Sequence, residues 1–148
     1  MTGAASTQIL AVEDEVRNGA LLRAILVPAG YDLTIAVSLA DARASLREHT
    51  PALVLLDRHL PDGDGLGLAR ELQASEATVG IPILLVSASV LSADRAAAQQ
   101  AGCAGFIDKP VRVDALLAEI ARHLAANDHS TSGEAGPDER ASDQPVSG

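Results

Sequence analysis

Several polar side chains in this sequence stand immediately after short apolar runs, and their types suggest one piece of chemistry. Glu13 and Asp14 follow Ile9–Val12, Asp57 follows Leu53–Leu56, Ser87 follows Ile81–Val86, and Asp108 and Lys109 follow Phe106–Ile107. Glu13, Asp14 and Asp57 brought to one crevice would repel one another unless a hard cation sat among them. A ligand set of oxygens alone, without a His or Cys cluster, favours Mg²⁺, which keeps several waters and borrows oxygens from a phosphate. The run Glu13–Glu15 also precedes a helical pattern, where carboxylates favour the helix N-terminus, so by itself it suits capping and metal binding equally. Asp57 tips the balance, because it is followed by the loop RHLPDGDG at 58–65 and an acid behind four apolar residues needs a partner. Lys109 is the only lysine beside ten arginines. A compact ammonium can pair with a carboxylate and then with a phosphoryl oxygen as a point charge, where a guanidinium is shaped for bidentate contacts. Ser87 adds a hydroxyl donor, a weak signal alone because serine often ends strands.

The elements that would position these groups alternate along the chain. The four continuous runs suit parallel strands buried on both faces, while Leu33, Ile35 and Val37 alternate with polar or small residues as in a strand with one face less covered. Helical patterns lie between them. One carries Leu21, Leu22, Ile25 and Leu26 and ends at Pro28 and Gly30. The next opens with a capping box at Ser38 and Asp41. Others run through Leu66, Ala69 and Leu72, from Ser92 to Gln100 before Gly102, and through Val113, Leu116, Leu117, Ile120 and Leu124. Five β–α repeats predict an α/β fold, a five-stranded parallel sheet doubly wound as (βα)5, with helices on both faces. The polar strand ends then share the carboxyl edge, where open α/β sheets bind ligands.

Composition bounds the rest. The chain has 148 residues, room for one domain with a real core. Aromatic residues are limited to Tyr31 and Phe106, too few for base stacking, and the net charge of −9 does not suit a polyanion or an anionic membrane. A lone Cys103 excludes an internal disulfide, and no apolar run approaches a membrane span. The expectation is a cytoplasmic protein with no direct nucleic-acid or membrane partner. Residues 1–7 are expected as a flexible N-terminus, 8–126 as the domain, and 127–148, polar with five acids against Arg140, as a disordered acidic tail. Met1 and the fading tail suggest a whole protein.

Taken together, Ile9-Leu10-Ala11-Val12-Glu13-Asp14-Glu15, Leu53-Val54-Leu55-Leu56-Asp57 with Leu60-Pro61 and Asp64-Gly65, Val86-Ser87-Ala88 and Gly105-Phe106-Ile107-Asp108-Lys109-Pro110 resemble the response-regulator receiver family of two-component phosphorelays. The match runs from about Gln8 to Ala126, and it is the four segments in order that make it specific. The resemblance implies flavodoxin-like strand order 2-1-3-4-5 and Asp57 as phosphoacceptor. It implies that Asp14, Asp57 and the backbone carbonyl of His59 ligate Mg²⁺, with Glu13 acting through a metal-bound water. It gives Lys109 and Ser87 the phosphoryl oxygens and Phe106 the part of an aromatic switch. It also implies a sensor histidine kinase or histidine phosphotransfer protein as donor, autodephosphorylation, and a downstream effector docking on the face of the fourth helix, last strand and fifth helix. The oligomeric expectation is a monomer or weak dimer.

Ser87 stands where threonine is more usual and Phe106 where tyrosine is frequent, so the inward aromatic would lack a hydroxyl. His59 and Ser89 occupy the positions that tune phosphate lifetime. The His59 imidazole, with no second histidine near it in sequence, is expected to be plain surface. Two other functions fit less well. A receiver-like scaffold has no need of Glu13, Asp14, Asp57, Ser87 and Lys109 together. A Mg²⁺-dependent phosphohydrolase with an aspartyl nucleophile would want a general acid two residues on, where His59 stands.

Overall fold

The computed structural model describes residues 7–88 and 92–135. Its main sheet has five parallel strands: β1 (Thr7–Val12), β2 (Tyr31–Ala36), β3 (Leu53–Asp57), β4 (Ile83–Ser87) and β5 (Gly105–Asp108). Their spatial order is β2-β1-β3-β4-β5, as expected. The helices are α1 (Val16–Leu26), α2 (Leu39–Glu48), α3 (Gly65–Gln73), α4 (Ser92–Ala101) and α5 (Val113–Ala135). Chain order and strand order differ at β1, so the crevice between β1 and β3 opens at the carboxyl edge.

The continuous apolar runs serve two cores at once. In β3, Leu53–Leu56 are at most 1% exposed. Val54 and Leu56 join Leu10, Val12, Ile83 and Leu85 beneath α2, α3 and α4, whose Ala42, Leu66, Ala69, Leu72 and Ala98 fill that face. Leu53 and Leu55 turn to the other side with Ile9, Ala11, Leu84 and Val86, against Leu22 and Ile25 of α1 and Leu116 and Ile120 of α5. A period-2 backbone sends neighbours to opposite faces, so an unbroken apolar run means both faces are covered. β2 instead alternates half-buried with exposed residues from Tyr31 to Ile35, ends on the buried Ala36 with Val37 exposed beyond it, and lies at the sheet edge.

Local chemistry sets the ends of the elements. Ser38 Oγ accepts from the Asp41 amide at 3.1 Å to start α2, and Gly102, at φ 99°, closes α4 while the Cys103 amide donates to Ala98 O. Burial pushes the Cys103 thiol up to about 11, which keeps it protonated at neutral pH.

The structure also departs from the sequence expectations. Leu21 is 39% exposed and Val113 50%, because the buried stripes centre on Leu22–Ile25 and on Leu116–Ile120. β4 begins at Ile83, not Ile81, and the preceding Pro82 has no N–H for the ladder. Within the expected loop 58–65, His59–Leu60 pair antiparallel with Gly63–Asp64 around the Pro61–Asp62 turn. Thr7 opens β1, pairing with Tyr31. α5 continues to Ala135, past the expected boundary at Ala126. No proline falls between Pro110 and Pro137, and a helix nucleated by packing propagates at little cost per residue. Residues 1–6 and 136–148 of the expected flexible ends lie outside the described residues.

Candidate functional site

Four strand ends deliver the predicted side chains to the carboxyl edge. β1 runs out at Val12, and the Glu13 amide still pairs with Ala36 O at 2.8 Å, so the chain stays in register one residue beyond the strand. That holds the Glu13 carboxylate inward, where it is 4% exposed. Its Oε2 accepts from the Glu15 amide at 3.0 Å. Glu15 in turn caps α1 by accepting from the Arg17 amide. The acidic run is thus divided: Glu15 caps the helix, and Glu13 and Asp14 face the crevice.

Asp57 closes β3 opposite Val86 and is 9% exposed. Lys109 reaches the same place because its backbone N–H donates to Ser87 O at 3.0 Å, extending the β4–β5 ladder past the Ser87–Asp108 pair. The Lys109–Pro110 peptide is cis. Lys109 Nζ lies 3.2 Å from Glu13 Oε1 and 3.5 Å from Asp57 Oδ2, bridging the two acids. Ser87, 5% exposed, stands on the neighbouring strand end.

One carboxylate oxygen from each of Glu13, Asp14 and Asp57 lies within 4.8 Å of the others. At that range two unit negative charges repel by about 3 kcal/mol at an effective dielectric of about 20. One ammonium cannot balance three carboxylates. The donor set consists only of hard oxygens, with Asp14 exposed on the open side, and it fits a small hard divalent cation that keeps part of its water shell. The His59 side chain is exposed, as expected of a surface imidazole. Ser89 lies outside the described residues. Phe106 is half-buried against the core beside α4, with the Arg95 guanidinium 5.0 Å from its ring centroid.

The loop after Asp57 contains partners that sequence reasoning missed. The two oxygens of Asp62 accept from the Leu39 and Ala40 amides at 2.8 and 3.0 Å, so the loop after β3 caps α2 from 22 and 23 residues away. No local pattern announces such a contact. Asp64 accepts from the Leu66 amide to cap α3. The N–H groups of Leu39 and then Ala40 hold the Asp62 carboxyl below the ordinary carboxylate range. A depressed folded-state pKa adds stability above the unfolded value, and that stability is lost as pH falls through the folded one. Asp62→Ala is therefore expected to lower the melting temperature at pH 7. The gap between the two melting temperatures should begin to narrow only as pH drops below about 4, where an ordinary carboxyl takes its proton, and close once pH has fallen past the lowered Asp62 value.

The chain matches the family described as response regulator receiver domain over residues 9–121. It is 32% identical over 116 residues to the polar-differentiation response regulator DivK of Brucella ovis, covering 78% of this chain and 94% of that protein. Among solved structures it resembles the receiver domain of sensor histidine kinase PA1611 from Pseudomonas aeruginosa, whose active-site cleft coordinates a magnesium ion. The TM-score is 0.76 at 30% identity, covering 82% of this chain and 99% of that one. A CheY-like receiver domain from Methanospirillum hungatei superposes with a TM-score of 0.80 at 25% identity, covering 85% and 99%.

Proposed function

Since this chain belongs to the response-regulator receiver family of two-component signalling, we propose that Asp57 accepts a phosphoryl group with Mg²⁺ and that the modified domain switches a partner protein. The observation that carries this reading is the Lys109 ammonium lying between Glu13 and Asp57, with the Asp14 carboxylate beside them. A carboxylate oxygen of Asp57 attacks the phosphorus of a phosphohistidine. The P–N bond breaks, its electron pair leaves with the imidazole, and an acyl phosphate forms on Asp57. A carboxylate attacks without a base, so the site needs no catalytic histidine. Asp14, Asp57 and the His59 backbone carbonyl would hold the ion, with Glu13 acting through a bound water. The ion supplies charge neutralisation at the phosphoryl oxygens, as suits a loose transition state. Lys109 exchanges its Asp57 contact for a phosphoryl oxygen, and the Ser87 hydroxyl donates to another.

The product adds about 1.5 to 2 negative charges at the strand end. Phe106, paired with Leu85 on β4 and stacked under Arg95 of α4, is the aromatic group that turns inward in response in this reading. The donor in this reading is a sensor histidine kinase or histidine phosphotransfer protein. The chain acts as a stand-alone cytoplasmic regulator, monomeric or weakly dimeric. Its effector docks on the α4-β5-α5 face, where Phe106, Pro110, Arg112 and Ala115 border a groove of about 450 Å³. Among the described residues no helix is long and apolar enough to cross a membrane. The test is incubation with acetyl phosphate and Mg²⁺. A hydroxylamine-labile adduct is expected on the wild type and not on Asp57→Asn, and its absence from the wild type with a range of kinases as donors would leave the scaffold reading standing.

A further inference from the structure

Arg58 follows the acceptor directly, yet its side chain turns to α4. Its Nη1 donates to Asp94 Oδ1 at 2.9 Å, and both side chains are only about one quarter exposed. The Arg58 Nε is buried and makes no hydrogen bond, although Asp64 Oδ1 lies 3.5 Å away. That oxygen already accepts from the Leu66 amide at 3.0 Å. The guanidinium is therefore held between two acids with one donor unmet, an arrangement that stores a desolvation cost. The next residue of α4, Arg95, stacks over Phe106 and lies 3.9 Å from Asp108 of β5. Consecutive residues of one helical turn thus tie α4 on one side to the acceptor strand and on the other to Phe106.

We propose that Arg58 is a positioning residue, and that its pair with Asp94 acts with the Arg95–Phe106 stack as a clasp. The clasp holds the start of α4 against the acceptor strand and opposes the rearrangement that accompanies a phosphoryl group on Asp57. This rests on the phosphoacceptor reading above. An interaction made in one of two states shifts the equilibrium against the other by its own strength, so loosening the clasp must strengthen binding of a phosphoryl mimic. The unmet Arg58 Nε makes release cheap, which suits a contact that must open.

Beryllofluoride with Mg²⁺ serves as the mimic, and its affinity can be read from the amide resonances of Phe106 and α4. Asp94→Asn removes the acid that holds Arg58 and leaves the Asp57 cluster untouched. It is expected to tighten beryllofluoride binding by about two- to fivefold, the range of a partly exposed ion pair. In an Arg58→Gln background the same Asp94→Asn change is expected to leave the affinity where Arg58→Gln alone puts it, because the pair is already gone. A purely structural bridge would lower the melting temperature of Asp94→Asn and leave the affinity at the wild-type value, and that result overturns the clasp. An equal shift in both backgrounds overturns it too. Failure of the wild type to bind beryllofluoride removes the phosphoacceptor reading and the clasp with it, an outcome distinct from a wild type that binds no differently from its variant.

Discussion

Lys109→Ala is expected to slow phosphoryl uptake from acetyl phosphate by about 100-fold, the scale of losing one preorganised donor at developing charge, while Mg²⁺ binding holds or tightens. The two effects part because the ammonium has two roles in the proposed reading. Toward the phosphoryl group it supplies positive charge, and nothing else among Glu13, Asp14, Asp57 and Ser87 does. Toward the metal it competes, lying 3.2 Å from Glu13 Oε1 and 3.5 Å from Asp57 Oδ2. Its removal leaves Glu13, 4% exposed, and Asp57, 9% exposed, without that cation, which destabilises the fold in the absence of metal. Mg²⁺ should restore much of that stability, since a ligand that binds only the folded state raises it by mass action. Lys109→Arg keeps the charge but replaces a point donor with a planar fork, and should fall between the two. The measurement is the single-turnover rate with acetyl phosphate beside a Mg²⁺ titration by calorimetry. A Lys109→Ala rate within threefold of wild type would sink the role given to the ammonium.

The second large effect concerns Gly65, the first residue of α3. Its amide donates to Arg58 O at 2.6 Å, and a Cβ built there would collide with the backbone carbonyl of Asp57 and crowd Leu56 at 3.2 Å. The helix can start this close to the end of β3 only because the residue lacks a side chain. Gly65→Ala must push either α3 or the end of β3 away, at a cost of about 1–3 kcal/mol typical of overpacking. Because the displaced atoms belong to Asp57, Mg²⁺ affinity and phosphoryl uptake should fall together with stability. Gly67, two residues on in the same helix, is the internal control. A Cβ there meets nothing within 4 Å, so Gly67→Ala should stabilise by about 0.5–1 kcal/mol and leave the site alone. Equal effects of the two substitutions in urea unfolding and Mg²⁺ titration would show that the close approach at Gly65 does not matter.

What the sequence disclosed depended on how local the cause was. The strands were legible because Leu53–Leu56 and Ile83–Val86 are buried on both faces and so carry no polar interruption. The site was legible because parallel strands place every strand end at one edge, so that Glu13, Asp57, Ser87 and Lys109 converge without any knowledge of side-chain packing. Asp62 was not legible as a cap of α2, nor Arg58 as a partner of Asp94, because those contacts join residues 22 to 36 positions apart across loops with no period. The exposure of Leu21 follows from a face only one residue out of phase with the buried stripe, a difference that an apolar count does not resolve. α5 spans Val113–Ala135 although the composition turns polar from Asn127, since composition marks the loss of a core whereas a helix stops where its hydrogen bonding is interrupted.

The most direct measurement of the central claim locates the modified residue. The protein is treated with acetyl phosphate and Mg²⁺ and then with borohydride, which reduces an acyl phosphate to an alcohol and leaves a free carboxylate untouched. Peptide mapping by mass spectrometry should find the reduced residue at position 57, in the Mg²⁺-containing sample only. Reduction at Asp14 or Glu13 instead, or the same yield at position 57 without a divalent cation, would contradict the account.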